Sequence, residues 1–271
     1  MPTFNTNISA LQTQQALTAS NHALSTSMAS LSSGLRVNSA ADDAASSAIG
    51  SNMSARILSL NQAVRNANDS ISMLQTADGA TQAISDVLVR MRELAIQAAS
   101  DTYGTTDRTA MNTEFTELQS GLSSIISNTS WNGQTLLNGS ITSATYQVGA
   151  TSSTSDGVSV SFQSFSGLSA LSSTITSRSN AQSAMDDITT ALTTINSARS
   201  SWGAAMNRLT HAADNSANVA MNLGVSKSQL LDADYAKATA DMARAQILQE
   251  AGTAMLSQAN QQGVLVLHLL R

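Results

Sequence analysis

From Met53 to Leu74 the apolar residues fall at Met53, Ile57, Leu60, Val64, Ala67, Ile71 and Leu74, in steps that alternate between four and three. A sustained heptad spacing is the mark of helices packed along their length. The phase slips around Asp78 and Gly79 and resumes at Ile84, Leu88, Met91, Ala95 and Ala98. The pattern predicts one long helix with a local irregularity, ending near Ser100. At 1.5 Å per residue it spans roughly 70 Å. A helix that long in water requires neighbours along its whole length. The single Pro is at position 2, so no proline forces an interior break.

Other segments carry the same signal. Leu17, Leu24, Met28, Leu31 and Leu35 form a periodic segment upstream, interrupted by Gly34 and the polar run from Arg36 to Asp43. DTYGTTD, residues 101–107, reads as a turn, and a shorter helix follows with Phe115, Leu118, Leu122 and Ile125 on one side. Ile188, Leu192, Ile195, Ala198, Trp202, Met206 and Leu209 make a further seam. Gly224 is expected to mark a break. A last helix is expected from near Ser228, with Leu231, Tyr235, Ala238, Met242, Ala245 and Leu248 at helical spacing.

The centre changes character. WNGQTLLNG holds two Asn-Gly pairs, Asn132-Gly133 and Asn138-Gly139, each a strong tight-turn signal. Val158, Val160 and Phe162 alternate with Ser159 and Ser161, as in a half-buried strand. A small hairpin region is expected from about Trp131 to Phe165, with the Ser/Thr tract 151–155 as a loop. The fold class is therefore mainly α: a long antiparallel helical bundle or coiled coil with a small β-hairpin insert. The expected division is 1–40 with 223–271 as one helical part, and 41–180 with 181–222 as the other.

The chain closes on VLVLHLL, residues 264–270, and Arg271. This apolar tip (Val264, Leu265, Val266, Leu267, Leu269 and Leu270) is too short to span a membrane, which needs about twenty residues. It requires a partner, and the expected one is the N-terminal helix together with the same surface on other copies.

Composition excludes several functions. Net charge is −5 and charged residues are 11 % of the chain, which argues against nucleic acid as a partner, since a binder carries a basic stripe. It argues equally against a membrane as a partner through an electrostatic anchor. Cys is absent, compatible with drift and with a protein that works outside the cell without disulfides. MPTFNTNISALQ lacks a basic patch followed by an apolar stretch, so no ordinary secretory leader is expected. His22, His211 and His268 are far apart and none has a second ligand at metal spacing. HExxH, GxSxG, P-loop and GxGxxG motifs are lacking. The acid pairs Asp42-Asp43, Asp186-Asp187 and Asp232/Asp234 read as polar helix faces or caps. The expectation is no enzyme, no metal and no cofactor.

LSSGLRVNSAADDAASSAIG, residues 31–50, resembles the N-terminal signature of bacterial flagellins. VRMRELAIQAASDT at 89–102 resembles that family's long-helix motif, and DRTAMNTEFTEL at 107–118 its returning helix. WNGQTLLNG is similar to the family's Asn-Gly turn, with Trp131 where Phe or Tyr is usual. DADYAKATADMARAQILQEAGTAMLSQANQ at 232–261 resembles the C-terminal helix, and LLR its ending. The tip departs from the pattern: Gly263 stands where Pro is common, Val264 and Leu265 where polar residues are common, and His268 where Ser is common.

The resemblance implies a structural subunit of the extracellular flagellar filament for swimming motility, exported unfolded through the flagellar type III apparatus. It implies the two inner layers of the filament and essentially no outer domains, 1–40 and 223–271 being inner-core and the remainder outer-tube. The implied partners are other flagellin copies in a helical homopolymer, the filament cap, hook-associated junction proteins, the export chaperone and the flagellin-sensing Toll-like receptor of animals. Self-assembly residues on this reading are Leu17, Leu24, Met28, Leu31, Leu35, Leu231, Tyr235, Met242, Leu248 and the apolar tip.

Val87, Arg90, Leu94 and Gln97 form a second stripe on the long helix, which points to a second partner or to the adjacent helix of the same chain. By resemblance Arg90, Leu94 and Glu114 are candidate receptor or intersubunit contacts, with Val89 where receptor-recognised members have Gln. The alternatives are a hook–filament junction protein and a secreted coiled-coil adhesin or translocator.

Overall fold

The computed structural model describes the backbone of residues 6–151 and 153–269, and the side chains of these except Thr154 and 262–269. Among the described residues there are five α-helices: α1 (Ile8–Ser33), α2 (Ala44–Ala98), α3 (Thr105–Asn128), α4 (Arg178–Leu231) and α5 (Tyr235–Leu269). Between α3 and α4 lie β1 (Ser130–Trp131), β2 (Gln134–Thr135), β3 (Ser143–Gln147) and β4 (Gly157–Ser161), forming two antiparallel pairs, β1–β2 and β3–β4. A short 3-10 turn at Thr154–Asp156 sits in the expected loop.

Local chemistry sets each helix end. The Asn7 side chain accepts from the Ala10 N–H at 3.0 Å and starts α1. Gly34 closes α1 at φ +72°, a left-handed position that suits glycine. Asp43 accepts from the Ser46 N–H at 3.0 Å and from its hydroxyl, starting α2. Asp42 gathers the Asn38 and Ser39 N–H groups and so fixes the preceding turn. Asp234 accepts from the N–H groups of Ala236 and Lys237 and starts α5.

By contacts the chain divides into two units, 1–55 with 222–271, and 56–221. The division at 40/41 expected from the sequence follows the break before α2. By contacts the first turns of α2 go with the terminal helices, where Gly50 lies against Leu231 so closely that a Cβ there would come 2.4 Å from its Cδ1.

In the unit 56–221, α2 and α4 run antiparallel. Arg199 on α4 reaches Asp78 at 2.7 Å and Gln82 at 2.7 Å on α2. The buried line of α2 is Leu60, Ala63, Ala67, Ser70, Leu74, Ala77, Thr81, Ile84, Leu88, Met91, Ala95 and Ala98. This spacing is unbroken, so the expected irregularity at Asp78-Gly79 is absent: Ala77 and Thr81 occupy the seam, and Thr81 satisfies its hydroxyl on the Asp78 carbonyl at 2.8 Å. On α4 the buried line includes Ala181, Ala184, Ile188, Ala191, Ile195, Ala198, Trp202, Ala205 and Leu209.

Trp202 anchors the β insert. Its indole N–H donates to the Ser161 carbonyl at 3.0 Å, and its ring meets Phe162 and Phe165 at centroid distances of 5.9 and 6.3 Å. Ser216 donates to the Val148 carbonyl at 3.1 Å, and Asn66 to the Gln147 carbonyl at 3.2 Å, tying the end of β3 to both long helices.

The break expected at Gly224 is also corrected. α4 runs through it to Leu231, because a helix interior tolerates one glycine at a cost of about 1 kcal/mol. The chain turns instead at Asp232–Asp234, where Leu35 and Asp232 form a β-bridge. Arg36 donates its N–H to the Leu231 carbonyl at 2.7 Å, and Ala233 donates to the Gly34 carbonyl at 2.9 Å. The α1–α2 and α4–α5 connections are thus stitched to each other within the unit 1–55 with 222–271.

Candidate assembly surfaces

α1 and α5 lie antiparallel. The Ser20 hydroxyl donates to the Ala245 carbonyl at 2.9 Å, the Asn7 side chain to the Ala259 carbonyl at 2.8 Å, and the Tyr235 hydroxyl to the Leu31 carbonyl at 3.4 Å. Gly252 accommodates Leu17, whose Cδ1 would stand 2.9 Å from an added Cβ. Among the described residues, the positions this pair buries are small: Ser20, Ala245 and Ala259. Small residues allow close approach of the backbones, but they remove little apolar area from water.

The larger side chains are left outside or half-covered. Leu17, Leu24, Leu31, Leu35 and Met242 are half-buried, and Leu231 is buried. Met28, Tyr235 and Leu248 are exposed. The apolar tip is carried by the backbone of α5 as far as Leu269; the side chains of Val264, Leu265, Val266, Leu267 and Leu269, and all of Leu270, lie outside the described residues.

Sequence periodicity missed part of this surface. Ile8, Leu11, Ile49, Val225, Ile247 and Met255 are also exposed, Ile247 at 66 % and Met255 at 63 %. Met255 continues the stripe of Leu248 beyond the residues assigned to it, and the others lie off the stripe assigned to their helix. For Ile8 and Leu11 one signal was available: no Asp, Glu, Lys or Arg precedes Arg36. A helix without a charged face has no side dedicated to water.

Shallow grooves mark the pair among the described residues. Leu11, Gln14, Gln15, Thr18, Ala19 and His22 line one along α1. Another lies between Ser20, Ala23, Thr26 and Ser27 of α1 and Asp241, Arg244, Ala245 and Leu248 of α5. Lys237 and Arg244 reach Asp241 at 2.9 and 2.8 Å. The Lys237 hydrogen bond is the largest influence holding the Asp241 carboxyl below its ordinary range.

A second surface belongs to the unit 56–221. Arg90 forks onto a single oxygen of Glu114, through Nε at 3.0 Å and Nη2 at 2.8 Å, and onto Glu93 at 2.9 Å. The hydrogen bond to Glu114 is the main cause raising the guanidinium above its ordinary pKa. Arg90 and Glu114 are about half-exposed, and so is Val89. Leu94 is different: it is 3 % exposed and belongs to the core. The second stripe is therefore split. Leu94 faces the interior of its own unit beside Met91 and Ala95, whereas Arg90 and Gln97 face outward. No group of three or more His, Cys, Asp or Glu among the described residues could hold a metal ion. No helix is long and apolar enough to cross a membrane, again among the described residues.

Comparison with known families decides what these surfaces belong to. The bacterial flagellin N-terminal helical region matches residues 4–142, and the bacterial flagellin C-terminal helical region matches 185–270. The chain belongs to the bacterial flagellin family. It is similar to a flagellin of Halalkalibacterium halodurans, 42 % identical over 246 residues that cover 90 % of each chain. Flagellin A of Vibrio anguillarum is 31 % identical, with 96 % of this chain and 97 % of that one covered. The crystal structure of a Bacillus cereus flagellin matches with a TM-score of 0.50 and 30 % identity, over 56 % of this chain and 88 % of that one.

The present flagellin is a structural subunit of the bacterial flagellar filament. A hook–filament junction protein or an adhesin is not favoured. The β3–β4 pair falls between the two matched segments.

Proposed function

We propose that this flagellin polymerises through the surface of its α1–α5 pair, with residues 1–40 and 223–271 as inner-core parts and 41–222 as outer-tube parts. The observation that supports this is the mismatch inside the pair. It buries Ser20, Ala245 and Ala259 while Leu11, Met28, Ile247, Leu248 and Met255 stay exposed. Ordering a helical residue costs about 1–2 kcal/mol of backbone entropy. Fully burying a Leu, Ile or Met side chain returns about 1.5–3 kcal/mol. The exposed side chains represent burial that an isolated pair does not obtain and that a second copy provides. A heterologous contact that does not close into a ring extends into a helical filament.

On the same reading the assembly residues are Leu17, Leu24, Met28, Leu31, Leu35, Leu231, Tyr235, Met242, Leu248 and the tip from Val264 to Leu270. Ile8, Leu11, Ile247 and Met255 join them. The subunit leaves the cell unfolded, assembles under a filament cap and meets junction proteins and an export chaperone. Its place is the extracellular filament. Arg90 and Glu114 form an outward-facing contact for neighbouring copies or the flagellin-sensing receptor, and Leu94 supports that surface from beneath.

The test is polymerisation of purified full-length protein on addition of ammonium sulfate, read by sedimentation and negative-stain imaging. Leu11→Glu with Met255→Glu, and separately removal of residues 264–271, abolish sedimentable filaments while the helical signal of 56–221 is retained. Normal filaments from either variant would overturn the proposal.

A further inference from the structure

The two Asn-Gly pairs share a sequence but not an environment. Asn132-Gly133 is the two-residue loop joining β1 to β2, with both residues at positive φ, +47° and +79°. That is the primed hairpin turn which Asn-Gly favours. Both residues are exposed. The hydrogen bonds of the described residues include none to the Asn132 side chain. Only two residue pairs, Ser130 with Thr135 and Trp131 with Gln134, form the ladder beneath, followed by the Leu136 N–H on the Thr129 carbonyl.

Asn138-Gly139 is clamped. The Asn138 side-chain oxygen accepts from the Thr135 hydroxyl and the Ser140 N–H, both at 2.9 Å. Its backbone carbonyl accepts from the Ser166 hydroxyl at 3.3 Å. The preceding carbonyl, of Leu137, accepts from the Phe165 N–H at 2.9 Å. Leu136 and Leu137 are fully buried. Gly139 lies under Ser164, whose Oγ would stand 2.8 Å from an added Cβ.

We propose that Asn132 is a site of spontaneous deamidation in the folded protein and that Asn138 is protected. The Gly133 backbone nitrogen, losing its proton, attacks Asn132 Cγ. The new N–Cγ bond forms, the Cγ–Nδ2 bond breaks, and the amide leaves as ammonia. The five-membered succinimide then takes up one water at either carbonyl, giving aspartate or isoaspartate. No oxidation change occurs and no co-reactant besides water is needed. Glycine suits the attack because it has no Cβ to obstruct the ring. A residue in the left-handed region holds its side chain away from the following nitrogen, so the turn must open first. Opening is easiest where few contacts are lost. At Asn132 it breaks a short exposed ladder; at Asn138 it breaks four hydrogen bonds and disturbs buried leucines.

The product matters for the β insert. Isoaspartate lengthens the backbone by one methylene and adds a negative charge, which a two-residue turn cannot accommodate in register. Trp131 flanks this turn and shares a surface pocket with Met73 and Tyr146, so its fluorescence reports the change.

The test is incubation of the purified full-length protein at mildly alkaline pH and 37 °C, with peptide mass spectrometry that resolves position 132 from 138. Isoaspartate is counted independently by enzymatic methyl transfer. Conversion at Asn132 is expected at least about tenfold faster than at Asn138 in the folded chain. The two rates are expected to converge in denaturant, where both pairs are equally free. Gly133→Ala is expected to suppress conversion at 132 in denaturant, where folding plays no part. Equal rates in the folded state, faster conversion at Asn138, or a rate ratio unchanged by denaturant would each overturn the proposal.

Discussion

Replacing Trp202 by Ala removes a fully buried ring from the point where α4 meets the β insert. Large-to-small aromatic changes in cores cost about 3–5 kcal/mol. Two features place Trp202 within that range. Its ring stands edge-on to Phe165 at 82° and tilted to Phe162 at 42°, and such pairs contribute about 0.5–1.5 kcal/mol beyond area. Its N–H also satisfies the Ser161 carbonyl, but Ser161 is exposed, so that oxygen can find water after truncation. The net expectation is about 4 kcal/mol.

For a unit of the size of 56–221 this lowers the melting midpoint by about 8–16 °C, at about 2–4 °C per kcal/mol. Trp202→Phe keeps an aromatic body and loses mainly the hydrogen bond and some volume, so about 1–2 kcal/mol is expected. Thermal unfolding of unpolymerised protein, followed by circular dichroism, measures both. A loss under about 1 kcal/mol for Trp202→Ala would show that the β insert packs independently of α4, contrary to the contacts described.

The Arg90–Glu114 pair is solvent-exposed, so Glu114→Gln is expected to leave the chemical-denaturation midpoint essentially unchanged; a clear downward shift would mean the pair holds α2 and α3 together. Asp42 and Asp43 act at the start of α2, and both carboxyls lie below their ordinary value of 3.8, mainly through hydrogen bonds from Ser39 and Ser46 respectively. A depressed folded pKa contributes stability that is present above 3.8 and disappears as pH falls through the lower folded values. Hydrogen exchange at residues 44–50, taken relative to the unfolded-chain rate at the same pH, should therefore accelerate only below about pH 4. Asp43→Asn, which still caps, should blunt that acceleration; an unchanged acid response would remove Asp43 from the account.

Much of the fold was legible because heptad spacing survives any choice of partner. Periodicity places Val64, Ile71, Leu192 and Met206 in seams, but the buried positions beside them are Ala63, Ser70, Ala191 and Ala205. Closest helix approach selects small residues, and the larger neighbours pack around the rim, half-buried. The same preference hid the continuity at Ala77 and Thr81. Gly224 misled because glycine's cost in one long packed helix is small, whereas the real turn at Asp232–Asp234 carries its signal in an Asp that caps α5.

The assembly surface was the least legible part. Periodicity identifies an apolar stripe but does not say whether the same chain or another one covers it. Leu94 and Met255 illustrate the two outcomes: both are large apolar residues on a long helix, yet one is in its own core and the other stands in water.

The central claim is that the α1–α5 pair is completed by other copies of the chain. Amide hydrogen exchange on monomer and filament tests it most directly. Rapid exchange is expected throughout α1 and α5 in the monomer, with strong protection of both in the filament and protection of α2 to α4 within 56–221 in both states. Full protection of α1 and α5 in the isolated monomer, or no gain on polymerisation, would contradict it.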